Sequence, residues 1–347
     1  MAATPEPHEM EEPAKRDSGA GLDLEGIEPL SAGARAPRPS GARPAVEADE
    51  YLYLIGRPKR KEFLRFMRDT AVDPPNDDML GAEWEAARNR ILELEKSEAG
   101  GADHPKITKL DVDSKYRPLL VEFLKDPLIQ HGFNTVPTEV AFVELDRMVV
   151  YQNHIDLTFV RELQKRLGPA PSDEKVFTAC LPFDHPNPPA EWSRLDAESF
   201  VFVSRSNDLR YLGAMPLKPE HLQGCPPHGS LVGVVGLAVG FGSNFMNALY
   251  CEGRLILNNG SHRAYALREM GVTHIPCIVQ HVSNRDELEM LASSKVRRDP
   301  DLYLKHPRPP MLRDYFDPRL RKVTPARRRV RQIRVQFSIS ECFVPGL

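Results

Sequence analysis

Residues 255–279 read Leu-Ile-Leu-Asn-Asn-Gly-Ser-His-Arg-Ala-Tyr-Ala-Leu-Arg-Glu-Met-Gly-Val-Thr-His-Ile-Pro-Cys-Ile-Val, and they leave the backbone few choices. An apolar run meets a glycine, a helical pattern comes next, a second glycine closes it, and a β-branched run resumes. The reading is strand, tight turn, helix, strand. Asn259 is placed to cap the helix, Gly271 to end it, and Pro276 to interrupt the second strand. The turn sets Gly260, Ser261, His262 and Arg263 at a helix N-terminus. There, free N–H groups and the positive end of the helix dipole favour an anion. The planar fork of Arg263 suits phosphate. The same turn also occurs in α/β proteins that bind nothing, where such an arginine pairs with a surface carboxylate.

The segment NGSHRAYALREMGVTHIPCIV, 259–279, resembles the second sequence box of the ParB/sulfiredoxin-like superfamily. Its marks there are Gly-x-x-Arg opening a helix, a later glycine, then Ile-Pro and a β-branched strand. Residues 143–168 are similar to the first box. They hold a strand with Leu145-Asp146, a turn of Gln152, Asn153 and His154, and a helix with the stripe Phe159, Val160, Leu163, Leu167 that stops at Gly168-Pro169. The resemblance implies an α+β fold with a ParB/sulfiredoxin-like core and a mixed sheet. It implies a nucleoside triphosphate with Mg²⁺, held at Asn259, Gly260, Ser261, His262 and Arg263, with Gln152 and His154 from the first box.

Several departures from the family shape the expected chemistry. Ser261 stands where sulfiredoxins carry their cysteine, and a hydroxyl lacks the soft, ionisable sulfur that chemistry requires, so sulfiredoxin activity is disfavoured. His154 replaces the family's usual arginine and removes a permanent charge. The proline-rich C-terminal residues do not read as the helix-turn-helix of partition proteins. A kinase branch of the superfamily places a carboxylate base beside the turn, and Glu144 and Asp146 are the candidates here; Asp156 reads as a helix cap. His262 is read either as a phosphate ligand or orienter of Arg263, or as a ring bonded to backbone.

Four segments are expected. Residues 1–48 hold almost no large apolar groups and read as a disordered tail. Residues 50–135 read as a helical extension, with stripes at Phe63, Phe66, Met67 and at Trp84, Ala87, Ile91, Leu94, and a third helix begun by Pro118. The core spans 136–300, with a long insertion at about 169–230 that contains a strand at Phe200–Val203. A hairpin over 247–258 turns at Glu252-Gly253, and Ser283 can cap a further helix. Residues 301–347 form a basic segment ending in an edge strand, Ile333, Val335, Phe337 and Ile339 alternating with polar groups. The glycines at 233, 236, 240 and 242 read as a glycine-rich strand, since no helix pattern comes directly after them.

Composition narrows the setting. The net charge of −3 hides fourteen Lys/Arg against four Asp/Glu over 295–334. That segment could meet nucleic acid, with 319–334 as the footprint, or lie across the chain's own acidic body; no aromatic residue is interleaved with Arg329–Arg334 to stack on bases, which favours the body. Five cysteines without a Cys-x-x-Cys pair fit a reducing, cytoplasmic setting, and scattered histidines do not point to a metal. No leader or membrane span is expected. The function expected is binding of a nucleotide or phosphorylated small molecule, with NTP hydrolysis or small-molecule phosphoryl transfer left open. The alternative is a non-catalytic DNA-associated or scaffold protein that keeps the fold.

Overall fold

The run Tyr51-Leu52-Tyr53-Leu54 is buried along its length, and aromatic and aliphatic residues covered on both faces make a strand. The computed structural model describes residues 48–111, 115–206, 208–218 and 232–341, so residues 1–47 of the expected tail, Asn207, Cys225 and Cys342 lie outside it. The described chain is α+β. The segment expected to be a helical extension opens with strand β1 (Ala48–Leu54) and holds a second short strand, β2 (Ile107–Lys109). Between them lie α1 (Arg60–Thr70) and α2 (Asp77–Ser97), which bury Phe63, Met67, Leu80, Ala87, Ile91 and Leu94 on the expected faces. Then come α3 (Arg117–Phe123) and α4 (Pro127–Gly132).

The first box continues as β3 (Thr138–Glu144), a 3₁₀ turn at Leu145–Arg147, β4 (His154–Asp156) and α5 (Leu157–Leu167). The Asp156 carboxylate caps α5, accepting from the N–H groups of Thr158 and Phe159. Of the expected insertion, α6 (Asp173–Cys180) belongs to the main core, where it buries Val176, Phe177 and Cys180. Next come β5 (Ala190–Asp196), β6 (Ser199–Ser204) and β7 (Leu209–Leu217), then β8 (Val234–Phe241).

The second box is β9 (Asn247–Cys251), β10 (Arg254–Asn259), α7 (Ser261–Glu269) and β11 (His274–His281). Glu252 and Gly253 both have positive φ, +48° and +77°, as a primed two-residue turn requires. Pro276 does not interrupt β11. It lies ahead of the stretch paired to β9, which begins at Ile278, so its missing N–H is wanted by no neighbour on that side. The chain ends through α8 (Arg285–Leu291), α9 (Ser294–Arg298), α10 (Pro300–Leu304), a 3₁₀ turn at Leu312–Phe316, β12 (Arg321–Arg327) and β13 (Arg331–Gln336). The side chain of Asn284, not Ser283, caps α8.

The largest sheet has the order β10-β9-β11-β3-β2 and is mixed, β11 running parallel to β9 and antiparallel to β3. A second sheet, β12-β1-β4, brings both distant ends of the chain to the first box. A third, β13-β6-β5, leaves β13 at an edge. The chain divides into two compact units. The described part of the smaller is the ribbon of β7 and β8 between Tyr211 and Ala238, where Gly236 backs onto the Leu217 side chain. Everything else described belongs to the larger.

One buried ionic knot holds the first box in place. The Arg308 guanidinium, 1% exposed, pairs with Asp314 and, at 2.9 Å, with Glu98 at the end of α2. The neighbouring backbone then clasps the box: Val150 N–H donates to Pro310 O, Leu312 N–H to Met148 O, and the Tyr315 hydroxyl to Gln152 O. Removing one member of a buried pair strands the other charge, at about 3–5 kcal/mol. Arg308→Met is therefore expected to lower the unfolding free energy by about 3 kcal/mol or more in urea titrations.

Candidate functional site

Two helices carry the site, and they run parallel. The Phe159 ring meets the His262 ring edge-on at 5.6 Å near their starts, and the Gln164 side chain reaches Glu269 at 2.9 Å nearer their ends. The N-termini of α5 and α7 therefore share one edge of the core. Asp156 closes that of α5; α7 has no side-chain cap, so the N–H groups of its first turn keep no intrahelical acceptor. Gly260 is the N-cap, at φ +103°. A Cβ there would strike the Met246 sulfur, and the backbone angle is one that only glycine adopts freely.

Asn259 is not the cap. It is the last residue of β10, and its amide donates to the carbonyls of Ser243 and Phe245 at 3.1 and 3.0 Å. Arg263 does not face the turn either. Its guanidinium points into the interior and donates to the carbonyls of Asn244 (2.6 Å), Ala179 (3.2 Å) and Cys180 (3.4 Å). The last two are end carbonyls of α6, which lack helical partners and carry the negative end of its dipole. Arg263 is thus a clamp on α6 and the 244–246 loop. Burial lowers its pKa. Ser261 is also buried, at 8% exposure.

Glu144 and Asp146 lie at the other end of α7. Both Asp146 carboxylate oxygens are held by Arg268 in the last turn of α7, at 2.6 and 2.9 Å. Glu144 pairs in register with His274, the first residue of β11. Neither reaches the Gly260 turn, because a helix of this length separates them from it.

The residues that do converge are His154 and His262. His154 stacks on Tyr51 at 5.6 Å and lies beside Phe66 at 5.6 Å. Burial pushes the pKa of His154 down to about 4, with Lys295 and Arg329 adding to the effect. Burial lowers that of His262 to about 3, helped by His154 and Arg263. Both rings are neutral at ordinary pH. The Nε2 of His262 is buried without a hydrogen-bond partner. Lys295 reaches in from α9, its ammonium donating to Tyr151 O at 3.3 Å, and the Tyr151 hydroxyl donates to Asn258 O at 2.6 Å. Gln152 lines the same turn, with its carbonyl accepting from Tyr315.

Lys295, Arg329, Tyr51 and Phe66 were not legible as site residues. Each is far from both boxes in sequence and carries no motif. Among the described residues, no cluster of His, Cys, Asp and Glu could hold a metal, and no helix is long and apolar enough to cross a membrane. A cavity on the same helix pair lies further along, between Arg161, Tyr265, Glu269 and Arg321, not at Gly260. No family model matches the sequence, and neither curated proteins nor solved structures yield a match.

The clamp and the neutral rings each have a measurable consequence. Arg263→Ala removes its bonds to three carbonyls, of which Cys180 O keeps the Met246 N–H, and empties a buried site; hydrogen bonds to a charged group are worth about 1.5–3 kcal/mol each, so a loss of at least about 3 kcal/mol in urea is expected. The rings govern the response to pH. An unfolded histidine titrates near 6.5, above the folded values of about 4 and about 3, so acid protonates the unfolded chain first. The stability due to both rings is full above pH 6.5 and drains as pH falls from there toward 4. Melting temperature is expected to decline between pH 6.5 and 5, and His262→Gln to flatten that decline.

Proposed function

We propose that this chain binds the phosphate of a nucleotide or other phosphorylated small molecule at the first turn of α7, within a ParB/sulfiredoxin-like core. The observation that carries the reading is the uncapped N-terminus of α7 beside a buried, unpartnered His262 Nε2. Unfilled N–H groups at a helix start bind oxyanions, and a neutral imidazole adds a donor when Nε2 carries the proton. The meeting of the two boxes through parallel helices supports the family resemblance.

Lys295 and Arg329 bring positive charge to His154, while Arg263 acts on His262 from the interior with its guanidinium bonded to carbonyls. A triphosphate would bring Mg²⁺ with it, held chiefly by its own oxygens. The reading is of binding and not of turnover. Asp146 is tied to Arg268, Asp156 to the α5 cap, and Glu144 lies beside His274 at the other end of α7, so none of these three carboxylates stands at the Gly260 turn as a base for phosphoryl transfer. The buried thiols of Cys180, Cys251 and Cys277 fit a cytoplasmic setting. The rival footprint, nucleic acid on 319–334, is weakened by internal pairing: Arg319 to Glu93, Lys322 to Glu83, Arg328 to Asp49 and Arg334 to Asp196.

The test is a melting-temperature screen of nucleoside tri- and diphosphates and inorganic phosphate with Mg²⁺. A ligand at a hundred times its Kd stabilises by about 2.7 kcal/mol, a shift of a few degrees. His262→Gln and Lys295→Ala are expected to abolish or halve that shift, while Asp146→Asn leaves it intact. Absence of any shift, or its survival in both variants, overturns the reading.

A further inference from the structure

The sheet β13-β6-β5 presents two unlike faces. Residues directly opposite in neighbouring strands share a face, and the side-chain period of two assigns the rest. Trp192, Phe202 and Ile333 form one row, and Arg194, Phe200 and Val335 the next. Arg331 lies on the same face, opposite Ser204. Trp192 is 41% exposed, with its ring 6.4 Å from those of both Phe200 and Phe202. The acidic side chains of these strands, Glu191 and Asp196, fall on the other face, where Arg334 lies within 3.8 Å of Asp196.

Among the described residues of these three strands, the aromatic face therefore carries arginines and no carboxylate. Arg194 sits 5.9 Å over the Phe200 ring and among the described residues donates only to the backbone carbonyls of Asp196 and Ala197, with no acidic partner. Arg331 has no ion-pair partner among the described residues. The long sequence separation between 190–204 and 331–336 hides this juxtaposition of rings and cations: the run Arg329–Arg334 has no aromatic of its own, and β6 and β5 supply them across the sheet.

We infer that this face binds single-stranded nucleic acid, with bases stacked on Trp192, Phe200 and Phe202 and phosphates on Arg331 and Arg194. A duplex hides the π-faces of its bases inside its own stack, whereas a single strand offers them. An apolar protein partner would have to desolvate two unpaired guanidiniums, which opposes it. The inference stands apart from the α7 site and shares no residue with it.

Fluorescence anisotropy of labelled oligo(dT) and oligo(U) tests it on the full chain at low salt. Binding is expected for at least one of them, and the tighter of the two identifies DNA or RNA as the source. Trp192→Ala is expected to weaken binding about tenfold, from the usual worth of one base–aromatic stack. Arg331→Gln should lower the slope of log K against log salt by about 0.7, the single-strand value per phosphate, while Arg334→Gln on the opposite face changes nothing. In a Trp84→Phe background the remaining Trp192 should be quenched on binding, a readout that does not depend on a variant of the face itself folding. Any of four results overturns the proposal: no binding, duplex bound as tightly as single strand, Arg331→Gln and Arg334→Gln alike, or a concentration-dependent dimer that Trp192→Ala abolishes.

Discussion

A guanidinium buried away from water must find acceptors in the protein, and Arg263 finds three carbonyls. That one interaction joins the second box to α6 and to the 244–246 loop. The loop in turn is held by Asn259 through Ser243 and Phe245, and Met246 both covers Gly260 and pairs its N–H with Cys180 O. The turn's shape is thus set from inside, by side chains pulling inward, and no side chain caps its N–H groups. An arginine that anchors the scaffold of an anion site can be as necessary as one that touches the anion, and the two look the same in sequence.

This explains which parts were legible. The strand–turn–helix–strand at 247–281 was, because each boundary is marked locally: positive-φ turn residues at 252 and 253, glycine at 260 and 271, apolar period between. The stripes of α1 and α2 and the Asp156 cap were legible for the same reason. What could not be read was whatever depends on distant partners. Arg263 depends on α6, Asp146 on the far end of α7, and Asn259 on a loop some fifteen residues back. β1 was grouped with the helices after it, since its partners β12 and β4 lie far along the chain.

The same non-locality separates two uses of positive charge. Cations from Arg319 to Arg328 are largely spent on α2 and β1, at Glu93, Glu83 and Asp49. Such pairs are partly exposed, worth little singly, and serve to seat β12 beside β1. Arg331, a few residues on, escapes that pairing because β13 leaves the β12 sheet for the β6 sheet. A stretch of uniform composition therefore holds cations put to different uses, Arg334 pairing with Asp196 and Arg331 with no described acid, and the difference depends on the sheet and face each residue joins.

Sheet membership also bears on where the core ends. Read from sequence, the core spans 136–300. Yet β4, which carries His154, pairs among the described residues only with β1, and β1 pairs with β12 on its other edge. Gln152 is held by Tyr315 from beyond that boundary, and Tyr315 packs its ring against Tyr265 of α7. A fragment cut at 136 and 300 would leave β4 without its strand partner and the Gln152 turn without its hydroxyl. The two histidines would then lose the burial that keeps them neutral, because Tyr51 and Phe66, which cover His154, come from the removed segment. The ends of the described chain are part of the candidate site's wall, and the charge state at its centre depends on them.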